Sequence, residues 1–165
     1  MSEPLPYRIA VLCYLYDERG RLLLLHRVKP PNRDLYSPIG GKLHMEEGES
    51  PMACAIREIR EEVGLELSTG DLHLTGLITE AGYQDAGHWM MFLYEVTRPV
   101  KVEKMECPEG KLEWHTFEST LQLPIPDTDR QVIFPLMKKY HDRFFHAHID
   151  CRGGKIDWRL EHPSN

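Results

Sequence analysis

Apolar and polar positions change period several times along the chain, and each change marks an element. Residues 8–16 are rich in apolar, aromatic and β-branched side chains, Asp17-Glu18-Arg19-Gly20 has the composition of a turn, and residues 21–26 form a second apolar run of strand length. This predicts a β-hairpin. Residues 27–36 hold Pro30-Pro31-Asn32 and the basic side chains Arg27, Lys29 and Arg33, a composition that breaks regular structure and suits a surface loop, either ligand-binding or a plain connection. The clearest helical period follows. Ser50 suits the N-cap, Pro51 the first helical position, and Gly64 after Val63 the C-terminal stop. Met52, Ile56, Ile59 and Val63 then fall within an arc of about 60°, so the helix should pack by that stripe.

Beyond the helix, residues 72–79 and 88–97 read as strands, the second nearly continuous in apolar residues and therefore central in a sheet. Residues 112–117 read as another. Val132, Ile133, Leu136, Met137 and Tyr140 recur at helical spacing within 128–144, where Pro135 must start, kink or split the helix. Phe145, Ala147, Ile149 and Cys151 alternate with polar residues, and Arg152-Gly153-Gly154 precedes a second alternation at Ile156, Trp158 and Leu160. That predicts a terminal hairpin at about 144–161. With no repeat, low-complexity tract or linker, residues 1–165 are expected to form one α+β domain extended by this hairpin.

Composition narrows the class. A chain of 165 residues suits one hydrophobic core. Mean hydropathy is −0.45, and the apolar runs, 22–25 and 89–94 among them, all fall far short of the ~18 residues a membrane helix needs. Residues 1–7 carry an acid and two prolines in place of a secretory signal, so a soluble, cytoplasmic protein with no membrane partner is expected. Cys13, Cys54, Cys107 and Cys151 lie far apart, without a zinc or disulfide pattern. The net charge of −6 gives no basic surface for a nucleic-acid duplex.

Charge patterning on the helix changes the picture. Glu58, Glu61 and Glu62 lie within about 100° of one another, nearly opposite the apolar stripe. Taken alone, such a patch is a solvated face softened by Arg57 pairing with Glu61. Just ahead of it, however, Gly40-Gly41-Lys42 is followed by Glu46, Glu47 and Glu49. Glycines let backbone approach a ligand, and carboxylates crowded at a turn call for a cation. Oxygen-only ligands indicate Mg²⁺, or Mn²⁺, and Mg²⁺ recruits substrate phosphates to complete its shell. A di- or triphosphate is the expected substrate.

Residues 41–65, GKLHMEEGESPMACAIREIREEVGL, closely resemble the Nudix box, G-x5-E-x7-R-E-U-x-E-E-x-G-U with U aliphatic. From Glu49 to Leu65 every fixed position matches. The resemblance implies an α/β/α sandwich around a mixed β-sheet. Seven residues separate Gly41 from Glu49 where the pattern has five, so either the extra residues bulge out around His44 to Glu46 and leave Glu49 in place, or Glu47 takes its role. The kept spacing to Arg57 and Glu58 favours the bulge. Tyr36-Ser37-Pro38-Ile39-Gly40-Gly41 resembles the family's W-x-F-P-G-G with an altered aromatic and a displaced proline.

The resemblance further implies that Glu58, Glu61 and Glu62 bind the metals with help from Glu49, that Arg57 holds Glu49, and that Gly41 gives a backbone ligand or close contact. The base is either Glu61 or Glu62 in the box, or Glu109, whose Glu109-Gly110 resembles the glutamate-glycine of MutT-type members. Those members convert nucleoside triphosphates, including oxidised purine nucleotides such as 8-oxo-dGTP, to monophosphate and pyrophosphate. Tyr83, eighteen positions past the box, favours dinucleoside polyphosphates instead; Ala81 stands where ADP-ribose enzymes often have proline. A non-catalytic nucleotide sensor is the remaining alternative, disfavoured by the intact box. Arg27 in the candidate loop, Tyr36, Trp114, Asp127 and Asp129 are candidates for substrate binding, because aromatic faces stack on bases and carboxylates read their edges. Asp127 and Asp129 can equally cap the helix that follows. His146 and His148 share a strand face without a third ligand and read as exposed polar positions. The terminal hairpin either covers the site or offers an edge for a homodimer.

Overall fold

Strand β1 (Tyr7–Tyr14) buries side chains on both faces, and this double burial organises the molecule. Ala10 and Tyr14 join one apolar cluster while Val11 and Cys13 join another on the opposite side. The computed structural model describes residues 3–4, 6–30 and 32–163; Met1, Ser2 and Leu5 of the N-terminal stretch, Pro31 of the proline-containing loop and residues 164–165 lie outside the described residues.

The elements in chain order are β1, β2 (Leu22–Arg27), β3 (Tyr36–Ser37), β4 (Ile39–Lys42), α1 (Pro51–Val63), β5 (Leu72–Tyr83), β6 (Gly87–Val96), β7 (Glu106–Cys107), β8 (Gly110–His115), the short α2 (Phe117–Thr120), α3 (Phe134–Tyr140), β9 (Phe145–Asp150) and β10 (Asp157–His162). A six-stranded sheet runs β10-β9-β5-β6-β1-β4, and a four-stranded sheet runs β3-β2-β8-β7. The first is mixed, because β1 with β6 and β5 with β9 are parallel and its other pairs antiparallel. Helix α1 packs into the cluster with Val11, Cys13 and Tyr94, and α3 into the one with Ala10, Tyr14 and Leu93. The architecture is a mixed α+β fold with few helices around a large mixed sheet.

Two local expectations need correction. Residues 8–26 do not form a simple hairpin: the strands touch at a Tyr16–Leu22 bridge, then β1 enters the large sheet and β2 pairs with β8 and β3 in the small one. Helix α1 is capped as expected, with Ser50 Oγ accepting the Ala53 N–H and Gly64 at φ 78°, but its buried face is rotated. Cys54, Ala55, Ile59, Glu62 and Val63 are buried, while Met52 and Ile56 are only half-buried. Each aliphatic side chain fully buried there contributes roughly 1.5–3 kcal/mol.

Pro135 splits the later helix. Asp129–Ile133 is a wide π turn, and α3 begins at Phe134 with the proline in its first turn, where no amide hydrogen is required. The terminal hairpin forms as β9 and β10 and extends the large sheet; Phe145, Ala147 and Ile149 are buried, whereas Trp158 stays exposed. The described cysteines are free thiols, and no described helix is long and apolar enough to cross a membrane.

Candidate active site

Close backbone approach fixes the start of the candidate site. A Cβ on Gly40 would lie 2.0 Å from the Val11 carbonyl oxygen, and one on Gly41 would lie 2.3 Å from Glu58 Oε1. The strand thus runs against β1 at Gly40, where only glycine fits, and against the Glu58 side chain at Gly41. The longer loop then folds as the 3-10 turn Met45–Glu47, closed by Gly48 at φ 67°. It returns Glu49 to the helix start, where its carboxylate accepts the His44 N–H at 2.8 Å. Glu47 stays outside, 3.5 Å from the His44 ring with its side chain 75% exposed.

Arg57 is the hub. Its Nε and Nη2 donate to the two Glu49 oxygens at 2.6 and 3.0 Å, and its Nη1 donates to Glu58 at 2.9 Å and to Glu61 at 3.2 Å. Nη2 also reaches the Lys42 carbonyl at 3.3 Å, tying helix to β4. These charge-assisted bonds hold the Glu49 carboxyl down at about 2, the Arg57 hydrogen bond being the main cause. Burial acts the other way on Glu58 and Glu62. Desolvation raises both; Glu62 is pushed up to about 8, with the Glu58 charge adding to it and the Gly40 N–H, 3.3 Å from Oε2, opposing it.

Glu109, on the turn between β7 and β8, faces the same region. Arg27 Nη2 and Lys29 Nζ each stand 3.9 Å from its carboxylate. A cavity of about 720 Å³ is lined by Glu58, Glu61, Glu62 and Glu109 together with Gly41 and Arg27. Among the described residues no three His, Cys, Asp or Glu side chains already converge as a closed metal cage, since Arg57 lies between Glu49, Glu58 and Glu61. The donor chemistry nonetheless fits a hard dication. Desolvation raises both Glu58 and Glu62, the Glu61 charge adds to the rise at Glu58 and the Glu58 charge to that at Glu62, and a cation among these carboxylates would relieve both.

The same cavity extends to Asp129, the other substrate-binding candidate that it brings in. Asp127 lies in an adjoining depression with Gln84 and Lys155. Tyr36 stacks on His26 at 4.4 Å and meets His115 edge-on, and Trp114 packs against the α1-side cluster; neither lines the cavity. His148 bonds Thr79 at 2.7 Å, and His146 stands 3.5 Å from Glu161. Sequence reasoning missed Glu80, Trp89 and Met91, which line the cavity beside Asp129 and Tyr83. The available signal is an acid beside an apolar strand: the apolar pattern predicts a strand only as far as Thr79, but β5 continues to Tyr83 and buries Glu80.

Comparisons with known proteins agree with this geometry. Residues 6–136 match the family model of the NUDIX domain. YvcI of Bacillus subtilis (strain 168), named as an uncharacterized Nudix hydrolase, is 33% identical over 127 residues, which span 76% of this chain and 77% of that protein. The crystal structure of a mutator MutT protein from Bacillus halodurans superposes with a TM-score of 0.74 at 26% identity, covering 96% of this chain and 99% of that one. The NUDIX domain of Shewanella oneidensis NrtR, solved with ADP ribose, shares the fold at a TM-score of 0.65 and 14% identity, over 84% of this chain and 89% of that one.

Proposed function

We infer the reaction from one premise: the chain belongs to the Nudix hydrolase family, and is a hydrolase of the phosphoanhydride in a nucleoside diphosphate linked to another moiety. The linked moiety best supported is phosphate. The substrate is then a ribo- or deoxynucleoside triphosphate, with an ordinary or oxidised purine such as 8-oxo-guanine, and the products are monophosphate and pyrophosphate. One observation carries this reading: a single cavity of about 720 Å³ joins the helix carboxylates and Glu109 to Trp89, Tyr83 and Asp129. Its size suits one nucleotide.

Glu58, Glu61 and Glu62, with the Gly41 backbone, would hold Mg²⁺ or Mn²⁺, which when bound neutralises phosphate charge and makes a water more acidic. Arg57 orients this set by fixing Glu49, Glu58 and Glu61 on one guanidinium. Arg27, on the cavity wall, faces the phosphates. The attacking water gives its proton to a carboxylate. Glu61 and Glu62 serve first as ligands, so Glu109, outside the helix and held between Arg27 and Lys29, is the candidate base. Asp129 belongs to the base-binding part of this reading, and Asp127, Tyr36 and Trp114, which lie off the cavity, have no role in it.

A second reading, hydrolysis of dinucleoside polyphosphates, has Tyr83 in its favour: it lines the cavity and its hydroxyl donates to Asn32 Oδ1 at 3.1 Å. The two are separated by a Mg²⁺-dependent panel of ordinary and oxidised nucleoside triphosphates, ADP-ribose and diadenosine polyphosphates, with products resolved by chromatography. Monophosphate and pyrophosphate from a triphosphate, lost on adding EDTA, is the expected result. Turnover confined to ADP-ribose or dinucleotides overturns it, and tight binding of one compound without turnover of any identifies a sensor.

A further inference from the structure

Residues 121–128 connect α2 to the π turn before α3 with no strand or helix of their own, yet Pro126 and Thr128 in this segment form part of the cavity wall. One side chain takes the place of a ladder. Arg130, in the π turn, donates from Nη1 to the Leu121 carbonyl, and from Nη2 to the Leu123 carbonyl at 3.0 Å and the Ile125 carbonyl at 3.4 Å. Its own amide donates to the Pro126 carbonyl at 3.1 Å. Among the described residues no carboxylate pairs with Arg130, so its charge is directed at these carbonyls. The effect crosses to a second wall. The Pro124 carbonyl, held between Leu123 and Ile125, accepts the Tyr36 N–H at 2.9 Å. Tyr36 begins β3, an edge strand that meets β2 only at Leu25–Ser37 and His26–Tyr36, and Ser37 and Pro38 line the cavity.

We propose that Arg130 is a positioning residue: by gathering three alternate carbonyls on one guanidinium it sets the spacing between the Pro126–Thr128 wall and the Ser37–Pro38 wall, and with it the fit of the nucleotide. The proposal rests on the nucleotide-hydrolase reading above and deepens it. A planar guanidinium presents its N–H donors as a fixed fork that serves several acceptors at once, which an ammonium on a flexible stem does not. Without the fork the carbonyls must turn to water, and the segment moves with them. Arg130 does not itself line the cavity, and nothing ties it to the helix carboxylates. Its loss therefore weakens binding of ground state and transition state alike, raising KM and leaving kcat.

Arg130→Lys and Arg130→Ala in the full chain test this, first without any ligand. Hydrogen exchange at the Tyr36 amide should quicken at least ~10-fold in both variants while the amides of β1 and β6 keep their wild-type rates. For the nucleotide turned over fastest, KM should rise roughly tenfold in Arg130→Ala and less in Arg130→Lys, with kcat within about threefold of the wild type, and the Kd of the monophosphate product in Mg²⁺, measured by calorimetry, should rise with KM. Guanidinium chloride, at tens of millimolar and too dilute to unfold the chain, should lower the Arg130→Ala KM and slow its Tyr36 exchange, with no such effect on the wild type; urea at the same concentration should do neither. Unchanged Tyr36 exchange, exchange quickened equally in β1 and β6, or a variant that does not fold when the other shows no local change overturns the proposal, as does loss of folding in both, which would make Arg130 a residue of global stability. Quickened Tyr36 exchange with unchanged KM and Kd, or a fall in kcat alone, overturns it too. If the panel turns over no nucleotide, the hydrolase reading fails by itself, and Tyr36 exchange together with the Kd of whichever compound binds still decides on Arg130.

Discussion

Arg57 and Glu49 are joined by two hydrogen bonds, 2.6 and 3.0 Å long, that lock the loop after Gly41 onto the first turns of α1. Both side chains are nearly buried, at 13% and 11% exposure, so solvent screens the pair little. The fork holds the Glu49 carboxyl at about 2, below its ordinary 4.5. A lowered carboxyl contributes stability that is complete above the ordinary value and lost as pH falls toward 2. In EDTA, urea titrations should therefore show stability falling by on the order of 3 kcal/mol between about pH 5 and 2. Glu49→Gln should lose most of that slope and be less stable than the wild type at pH 7. A variant as stable as the wild type, with the same acid limb, would show that the fork carries no such load.

Much of this loop and helix is legible from local sequence, since Ser50, Pro51 and Gly64 specify a helix start and stop whatever surrounds them. What is not legible depends on remote partners. Residues 8–26 have the composition of a hairpin, yet β1 takes β6, some eighty residues away, as a parallel neighbour, and no local signal encodes that choice. Following the aliphatic residues alone puts Glu62 on the exposed face of α1. In the fold the buried face includes the small Cys54, whose thiol lies 3.8 Å from the Gly41 carbonyl of β4, and it widens to Glu62. Whether Trp114 and Tyr36 reach the cavity is equally illegible, because side-chain type does not tell which side of a strand meets it; both lie off it. Glu80 escapes a sequence reading for a similar reason: the strand holding it continues four residues past the apparent end at Thr79.

Glu61 and Glu62 separate catalysis from stability in different ways. Glu61 is half-exposed, so Glu61→Gln should change stability by less than about 0.5 kcal/mol. Glu62 is buried and raised to about 8 by desolvation and the Glu58 charge, so the neutral amide of Glu62→Gln should match or exceed wild-type stability at pH 8. Each variant should nevertheless lose at least ~100-fold in Mg²⁺-dependent kcat. Thermal melts paired with turnover measure both; wild-type-like rates in the two variants would exclude this helix as the reaction centre.

Glu80 and Asp129 predict a loss of stability on the alkaline side. Their folded values, about 8 and about 7, lie above the ordinary 4.5 and 3.8. A raised carboxyl contributes fully below its ordinary value, and that contribution disappears as pH rises through the folded one. Between about pH 5 and 8 the ligand-free protein should lose on the order of a few kcal/mol. Glu62 titrates in the same window, so the informative comparison is Glu80→Gln/Asp129→Asn made in a Glu62→Gln background. There the added pair should flatten most of the remaining decline in Tm between pH 5.5 and 8.5. An unchanged slope would mean that the pair is solvated in solution.

Gly40 and Gly41 are adjacent, and both exclude a side chain, but they should fail differently when given one. At Gly40 a Cβ meets the Val11 carbonyl oxygen at 2.0 Å, a backbone atom inside the β1–β4 pairing that cannot yield without moving the strand. Gly40→Ala should cost several kcal/mol, on the order of 3 or more, and lower the expression of folded protein. At Gly41 the Cβ meets Glu58 Oε1 at 2.3 Å, the end of a side chain that can swing aside. Gly41→Ala should therefore fold with a loss of no more than about 1–2 kcal/mol while displacing one carboxylate of the site, so that kcat falls at least ~10-fold. Urea midpoints and turnover measured on the pair distinguish the cases. Equal destabilisation with equal activity loss would mean that Gly41 acts only through the fold, whereas a stable but inactive Gly41→Ala places the Glu58 carboxylate in the chemistry.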